Sequence, residues 1–316
     1  MKQIRLLTVP PMWNQVRISE CRSSDVQAVG FDAKGRKQYI YHPDWHKQRQ
    51  AEKFERLATF AKLLPKIRGQ YERDIALDNW SLQHICAIAT YVLDSTGIRV
   101  GNQDYTKQNE TYGLTTLRRR HLKTDNDQVH LQFIGKHNKE RSIDINDDAL
   151  SELIERCAEL PGYSLFRYKQ QRKWRDLTSD ELNEYIQSIS KNIFSSKYFR
   201  TWKGTRLAVE YALECDASAK EHMRKKFKPT LVKAVASDLG NTPSVCETYY
   251  IHPVVLETLV TLHEQRKMSS FFSEANKQVQ QAQKHKGMEQ TELIAIGIIE
   301  GRLSVSTASL SESDAA

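Results

Sequence analysis

From residue 149 to residue 302 the chain reads as one helix after another, with apolar residues at three- and four-residue spacing over 149–159, 179–193, 201–212, 217–240, 244–267 and 290–302. Such a chain must build most of its core by packing helices, and any sheet has to come from what precedes them. There the period changes. Short β-like runs at 16–19, 26–31 and 38–41 are separated by turn residues, with Asp32-Ala33-Lys34-Gly35 as a hairpin turn. Three more short strands are expected at 114–122, 129–134 and 141–145, the last two joined by Gly135-Lys136-His137-Asn138-Lys139-Glu140. A helix over 44–66 carries Phe54, Leu57, Ala58, Ala61 and Leu64 on one face and closes the first region. The polar stretch 68–79, ahead of a strongly apolar helix over 81–95, reads as the interdomain linker. The expected fold is therefore α+β: a small β-rich N-terminal domain over 1–78, then a mainly α-helical domain over 79–303 containing a short three-stranded antiparallel sheet. A polar, disordered tail over 304–316 ends the chain, and there is no internal repeat.

Charge points to the partner. Lys and Arg number 47 against 39 Asp and Glu, a net charge of +8, which favours a polyanion and puts nucleic acid first. Tyr39 and Tyr41 lie two apart, hence on one face of a strand, just after Lys34, Arg36 and Lys37. Cations beside aromatic hydrogen-bonding groups suit a nucleic-acid groove, while packing within the small sheet is an equally open reading. Residues 1–11 lack the apolar core of a signal peptide, and the most apolar run, 293–299, is too short to span a bilayer. A cytoplasmic protein with no membrane partner is expected. The five cysteines are scattered and contain no CxxC pair, so they read as reduced, mostly buried thiols rather than a disulfide framework or zinc site. His42 and His46 flank Pro43 without a carboxylate partner at ligand spacing, so no metal is expected there. Gly135-Lys136 lacks the glycine-rich loop and following Ser or Thr of a P-loop, so no nucleotide is expected either.

The chemistry-bearing residues come from separate segments. Gly240 can end a helix and Thr242-Pro243 begin the next, which leaves Asn241 in the joint and Tyr250 about two turns further on. Arg99, bracketed by Ile98 and Val100, requires an anionic partner: a ligand, or a carboxylate such as Asp94 or Asp104. Lys136 rides a hairpin tip, a position that is solvated in most proteins.

Taken together these segments resemble the type IB DNA topoisomerases, specifically the small poxvirus-like and bacterial form. The resemblance runs from about Val9 to about Glu257. It is carried by Val9-Pro10-Pro11-Met12-Trp13, Asp32-Ala33-Lys34-Gly35-Arg36-Lys37-Gln38-Tyr39, Ile98-Arg99-Val100-Gly101-Asn102, Tyr112-Gly113-Leu114-Thr115-Thr116-Leu117, Phe199-Arg200-Thr201-Trp202 and Gly240-Asn241-Thr242-Pro243. It implies an active site of Arg99, Lys136, Arg200, Asn241 and Tyr250, the family's nine-residue spacing from Asn241 selecting Tyr250 over Tyr249. Poxvirus members carry histidine where Asn241 stands and bacterial members resemble this chain. Asparagine can donate a neutral hydrogen bond to a phosphoryl oxygen but cannot titrate.

The resemblance further implies that Tyr39 and Tyr41 touch DNA in the major groove, with Arg36, Lys37 and Lys197 also placed on DNA, and that the two domains form a clamp. Expected of such a protein are double-stranded DNA as partner, a monomeric state, location at the nucleoid, and relaxation of supercoils through a 3′-phosphotyrosyl intermediate, strand rotation and religation without ATP, metal or other cofactor. The chemistry is consistent with that expectation. A phenol, with a reference pKa of about 10, is a weak nucleophile that clustered guanidinium groups can activate, and the departing 5′-alkoxide needs a proton that Lys136 could bring. Two other readings share the basic surface. A tyrosine recombinase uses the same catalytic groups, but its His-x-x-Arg box would need histidine where Lys197 stands; the second is a non-catalytic DNA-binding protein. The last fifty residues resemble the family only weakly.

Overall fold

A computed structural model describes residues 7–125, 128–221, 226–282 and 287–306. It divides into two compact units, Met1–Arg56 and Leu57–Ala316. The architecture is α+β: a three-stranded antiparallel sheet comes first, and a mostly helical region containing a second three-stranded antiparallel sheet and a hairpin follows.

In the first unit β1 (Asn14–Ile18), β2 (Val26–Phe31) and β3 (Lys37–Tyr41) lie in that order. The β2–β3 turn is held by Asp32, whose carboxylate accepts from the backbone N–H of Lys34 and Arg36 and from Arg36 Nε at 2.7 Å. Those donors, Arg36 first, hold the Asp32 carboxyl down at about 2. Gly30 is where Trp13 lies on the sheet: a Cβ there would come within 2.9 Å of the indole. Helix α1 (Pro43–Glu55) follows, with His42 as its N-cap.

The helix expected over 44–66 is in fact two. It breaks at Arg56, and α2 (Leu57–Ile75) belongs to the second unit and takes in most of the stretch read as a linker. Leu57, Phe60, Ala61, Leu64 and Ile67 of α2 are fully buried, and α2 packs on α3 (Leu82–Thr96). Helix α3 is the centre of the unit. From Ile85 to Ala89 it is buried all round, so it lies inside the core rather than against its surface.

After the short α4 (Gln103–Asn109) come β4 (Leu122–Asp125), β5 (Gln128–Gly135) and β6 (Lys139–Ile145). The strand expected at 114–122 is instead two 3-10 turns, Leu114–Thr116 and Arg119–His121, because the N–H groups of Leu114 and Thr115 bond the carbonyls of Arg99 and Val100 rather than a strand. Then follow α5 (Asp148–Glu159) and a hairpin of β7 (Arg167–Gln170) and β8 (Lys173–Asp176) that the sequence concealed. Its two-residue turn has φ of 47° at Gln171 and 65° at Arg172, a type I′ shape normally announced by Asn or Gly.

The remaining helices are α6 (Ser179–Ile189), α7 (Lys197–Glu210), α8 (Ala212–Glu221), α9 (Phe227–Leu239), α10 (Pro243–Tyr249), α11 (Pro253–Glu264), α12 (Met268–Ala282) and α13 (Gln290–Ile299). The runs read as single helices over 217–240 and 244–267 are each two. Pro253 explains the second break, since proline has no N–H to continue a helix and disfavours helical geometry in the residue before it. Of the tail expected to be disordered, residues from 307 onward lie outside the described residues. All five cysteines are free thiols, four of them buried and Cys21 exposed.

Candidate active site

Arg200 is the centre of the site. It lies in the first turns of α7, its residue only 6% exposed, and its guanidinium is wedged between two helix C-termini. Nη1 donates to the carbonyl of Gly97, the left-handed cap of α3, at 2.6 Å, and Nη2 donates to the carbonyl of Leu239, the last residue of α9. Carbonyl ends of helices carry partial negative charge and suit a cation. The guanidinium also lies over the Tyr250 ring, 5.1 Å from its centroid. Burial and the charge of Arg99 push Arg200 down to about 10, while Tyr250 acts in the opposite sense. It stays protonated at neutral pH all the same.

Arg99 is held by its backbone. Leu114 and Thr115 donate to the carbonyls of Arg99 and Val100, both at 2.8 Å, and Gly113 makes this possible, because a Cβ there would meet the Arg99 carbonyl oxygen at 2.6 Å. The Ile-Arg-Val-Gly and Tyr-Gly-Leu-Thr-Thr motifs are thus two halves of one cradle. The Arg99 side chain is not neutralised by Asp94, which pairs with Arg68 instead; the Asp104 side chain lies outside the described residues. Arg99 Nη2 donates to Oδ1 of Asn241, in the joint between α9 and α10. The left-handed Gly240 before it, with φ of 58°, closes α9 as its cap.

Tyr250 lies two turns on from Thr242, as the spacing predicts, but at the end of α10 rather than inside a longer helix. Its carbonyl accepts from Thr205 Oγ1 at 3.3 Å, and the same hydroxyl accepts from the N–H of His252 at 3.0 Å. Gly204, one turn after Arg200 on the same face of α7, lets the tyrosine backbone come close: a Cβ there would be 2.6 Å from the Tyr250 carbonyl oxygen. Tyr249, by contrast, is 42% exposed.

The structure also brings in Arg141, which the sequence reading did not select. It projects from β6 onto the end of α9, donating to the carbonyls of Ser237 at 3.3 Å and Asp238 at 2.6 Å, against the Cα of Gly240. Burial and the neighbouring charge of Arg99 lower its pKa. Its signal in sequence is slight: an arginine on the strand that leaves the Lys136 hairpin.

Arg99, Arg141 and Arg200 therefore crowd one region, and among the described residues none of them is ion-paired to a carboxylate. Two donors in this cluster are buried without a hydrogen-bond partner, Arg200 Nε and Asn241 Nδ2. Buried N–H groups are rarely left so, and with three cations around them an anion is an acceptor that suits this cluster.

Of the other residues singled out, Lys136 is not joined to this cluster. It is exposed in a turn, Lys136–Asn138, at the tip of the β5–β6 hairpin, and its side chain makes no hydrogen bond or ion pair among the described residues. Lys197 is exposed at the start of α7. In the first unit, Tyr39 is 43% exposed and stacks on Tyr41 with centroids 5.8 Å apart, and Tyr41 stacks on Trp45 at 4.0 Å. Lys37 lies over the Tyr39 ring at 5.3 Å, whereas Arg36 is engaged by Asp32.

Comparison with known proteins agrees with this chemistry. A family model of the catalytic core of eukaryotic DNA topoisomerase I matches residues 42–287. The chain is 29% identical over 264 residues to DNA topoisomerase 1B of Acanthamoeba polyphaga mimivirus, covering 81% of this chain and 79% of that protein. It is 23% identical over 231 residues to DNA topoisomerase 1B of vaccinia virus strain Copenhagen, covering 72% and 71%, and 25% identical over 240 residues to DNA topoisomerase 1 of rabbit fibroma virus strain Kasza, covering 73% and 71%. With well over half its length matched by the family's catalytic core, the chain belongs to the type IB DNA topoisomerases.

Proposed function

We propose that Tyr250 is the nucleophile, that Arg99, Arg200 and Asn241 hold the scissile phosphate of double-stranded DNA, and that Lys136 is the general acid. The observation that carries this reading is the pair of buried, unpartnered donors, Arg200 Nε and Asn241 Nδ2, beside Tyr250 and three arginines. A phosphodiester supplies acceptors for both and charge for all three.

In the forward step the tyrosyl oxygen forms a bond to phosphorus and its proton passes to solvent. The bond from phosphorus to the 5′-oxygen breaks, and the leaving oxygen takes a proton from Lys136, giving a 3′-phosphotyrosyl enzyme and a free 5′-hydroxyl. Strand rotation releases supercoils and the reverse step reseals the strand, with no nucleotide consumed because the phosphotyrosyl bond conserves the energy of the diester. The guanidinium groups act on the non-bridging oxygens, whose charge grows in the transition state. Asn241 is fixed by Arg99 and contributes a neutral donor, a positional role.

Lys136, exposed at its hairpin tip, is open to DNA and meets the phosphate once DNA is bound. The first unit offers Tyr39, Tyr41 and Lys37 as a second DNA-contacting surface, and Lys197 contacts the backbone near the site, the two domains acting as a monomeric clamp at the nucleoid. Among the described residues no helix is long and apolar enough to cross a membrane.

The test is relaxation of supercoiled plasmid by purified protein in EDTA without ATP, with peptide mapping of the covalent adduct. The expected result is relaxation of both positive and negative supercoils, with DNA attached to Tyr250. Relaxation that requires added Mg²⁺ or ATP, or DNA found on Tyr249, would overturn the assignment.

A further inference from the structure

Helix α13 lies beyond the residues that the family model matches, yet one of its side chains reaches the core behind Arg200. Glu292 is 1% exposed. Its carboxylate accepts four donors: Arg68 Nη1 and Nη2, each at 2.8 Å, Trp202 Nε1 at 3.0 Å, and the N–H of Glu289 at 2.9 Å. Burial on its own would raise the Glu292 pKa, but the bonds and charge of Arg68 overcome that and hold it below its ordinary value, so the acid is ionised at neutral pH.

Arg68, from α2, is fully committed at this node. Besides Glu292 it donates to the Gly287 carbonyl at 2.5 Å and to both oxygens of Asp94, at 2.7 and 3.1 Å. All five of its N–H groups are thereby used. The two carboxylates it joins lead to the end of α3 and to α7, the helix that carries Arg200. Asp94 is in the last turn of α3, three residues before Gly97, whose carbonyl holds Arg200 Nη1. Glu292 holds Trp202, two residues after Arg200 on α7 and therefore on a different face of that helix. Arg206, one turn further along, also pairs with α13, through Glu289.

We infer that Glu292 of the C-terminal helix is a positioning residue for Arg200: through the Arg68–Asp94–Glu292 node it fixes the separation between the end of α3 and α7, and so the direction in which the guanidinium meets the phosphate. The inference rests on the reading of Arg200 as a phosphate ligand. It explains why the residue after Arg200-Thr201 is a tryptophan, since among apolar aromatic side chains only the indole brings an N–H to donate. Glu292 is buried while Arg68 and Asp94 are half-buried, and every N–H of Arg68 is bonded; a polar network satisfied in this way holds one geometry.

The experiment compares Glu292→Gln and Trp202→Phe with the parent protein, each alone and in an Arg200→Ala background. DNA affinity, single-turnover cleavage of a duplex and melting midpoint are measured for all, with assays run well below the lowest midpoint. Glutamine keeps the shape but turns an N–H toward Arg68 or Trp202. The expected result is that Glu292→Gln binds DNA within about twofold of the parent while cleaving on the order of 10- to 100-fold more slowly, the range expected for a misaligned catalytic group. Trp202→Phe should show the same split more weakly. In the Arg200→Ala background neither change should slow cleavage further, because the group it aligns is gone. Parental cleavage by both variants, or the same loss with and without Arg200, would overturn the inference. If Glu292→Gln fails to fold, Trp202→Phe decides on the same criteria. Absence of a tyrosyl–DNA adduct in the parent would overturn the reading of the site itself, and this inference with it.

Discussion

Gly204→Ala is the most economical probe of how Tyr250, the proposed nucleophile, is placed. Inside a helix, glycine to alanine ordinarily stabilises by about 1 kcal/mol through helix propensity. Here the new methyl would lie 2.6 Å from the Tyr250 carbonyl oxygen and 3.0 Å from both Tyr250 Cβ and Leu239 Cδ1. To restore an ordinary contact of 3.4 Å the carbonyl must retreat by roughly 0.8 Å, and the Tyr250 side chain moves with it. Overpacking of this kind costs about 1–3 kcal/mol, so after the propensity gain the net loss of stability is about 0–2 kcal/mol. A shift approaching 1 Å in a catalytic group, however, costs on the order of 10²-fold in rate. The variant should therefore fold, bind DNA, and cleave about 100-fold more slowly in single-turnover assays with a suicide duplex. Gly69→Ala is the control: its Cβ would meet only the mobile end of Arg73 at 3.5 Å, so it should gain up to about 1 kcal/mol in a melt and leave cleavage alone. Cleavage by Gly204→Ala within twofold of the parent would refute the argument that this close approach sets the tyrosine.

Three further outcomes are expected. Lys136→Ala should slow cleavage of an ordinary phosphodiester yet be largely rescued when the bridging 5′-oxygen is sulfur, which departs without a proton, whereas Arg200→Ala should not be rescued; equal rescue of the two would refute their separate roles. DNA affinity should fall steeply with salt, and Tyr39→Phe with Tyr41→Phe should weaken affinity or selectivity at preferred sites while leaving chemistry on prebound DNA intact; affinity indifferent to salt would argue against a phosphate-covering clamp. His121 is held down at about 4 by burial and by Arg120, Arg118 and Lys123, and its Nδ1 accepts from the Arg118 N–H at 3.0 Å. The unfolded chain thus binds the proton more readily, so this residue's contribution to stability should be complete above about pH 6.5 and decline as pH falls toward 4. Denaturant melts of His121→Gln should show a shallower loss over that window, and an unchanged slope would contradict the assignment.

Local pattern alone determined a good deal of this protein. Helical spacing after residue 149, period-two runs before it, and the Asp32–Gly35 turn gave the α+β order of elements, because each of these signals acts within a few residues. Arg99, Arg200, Asn241 and Tyr250 were selected only by motifs shared with the type IB topoisomerases, and the structure places Arg99 on Asn241 and Arg200 over Tyr250. Where the reading went astray, a neighbour distant in sequence or an untypical local residue had decided the matter. The strand expected at 114–122 lost its ladder to the carbonyls of Arg99 and Val100. The β7–β8 turn formed from Gln171 and Arg172 without the residues that announce it. Only the tertiary structure could show that Arg141 joins the cluster, that Gly204 is small because Tyr250 lies against it, and that Glu292, some ninety residues after Arg200, grips the helix that carries it. Such contacts are set by how helices pack across the core, and a pair of groups 2.8 Å apart leaves no periodicity in the chain when their partners are separated by 224 positions.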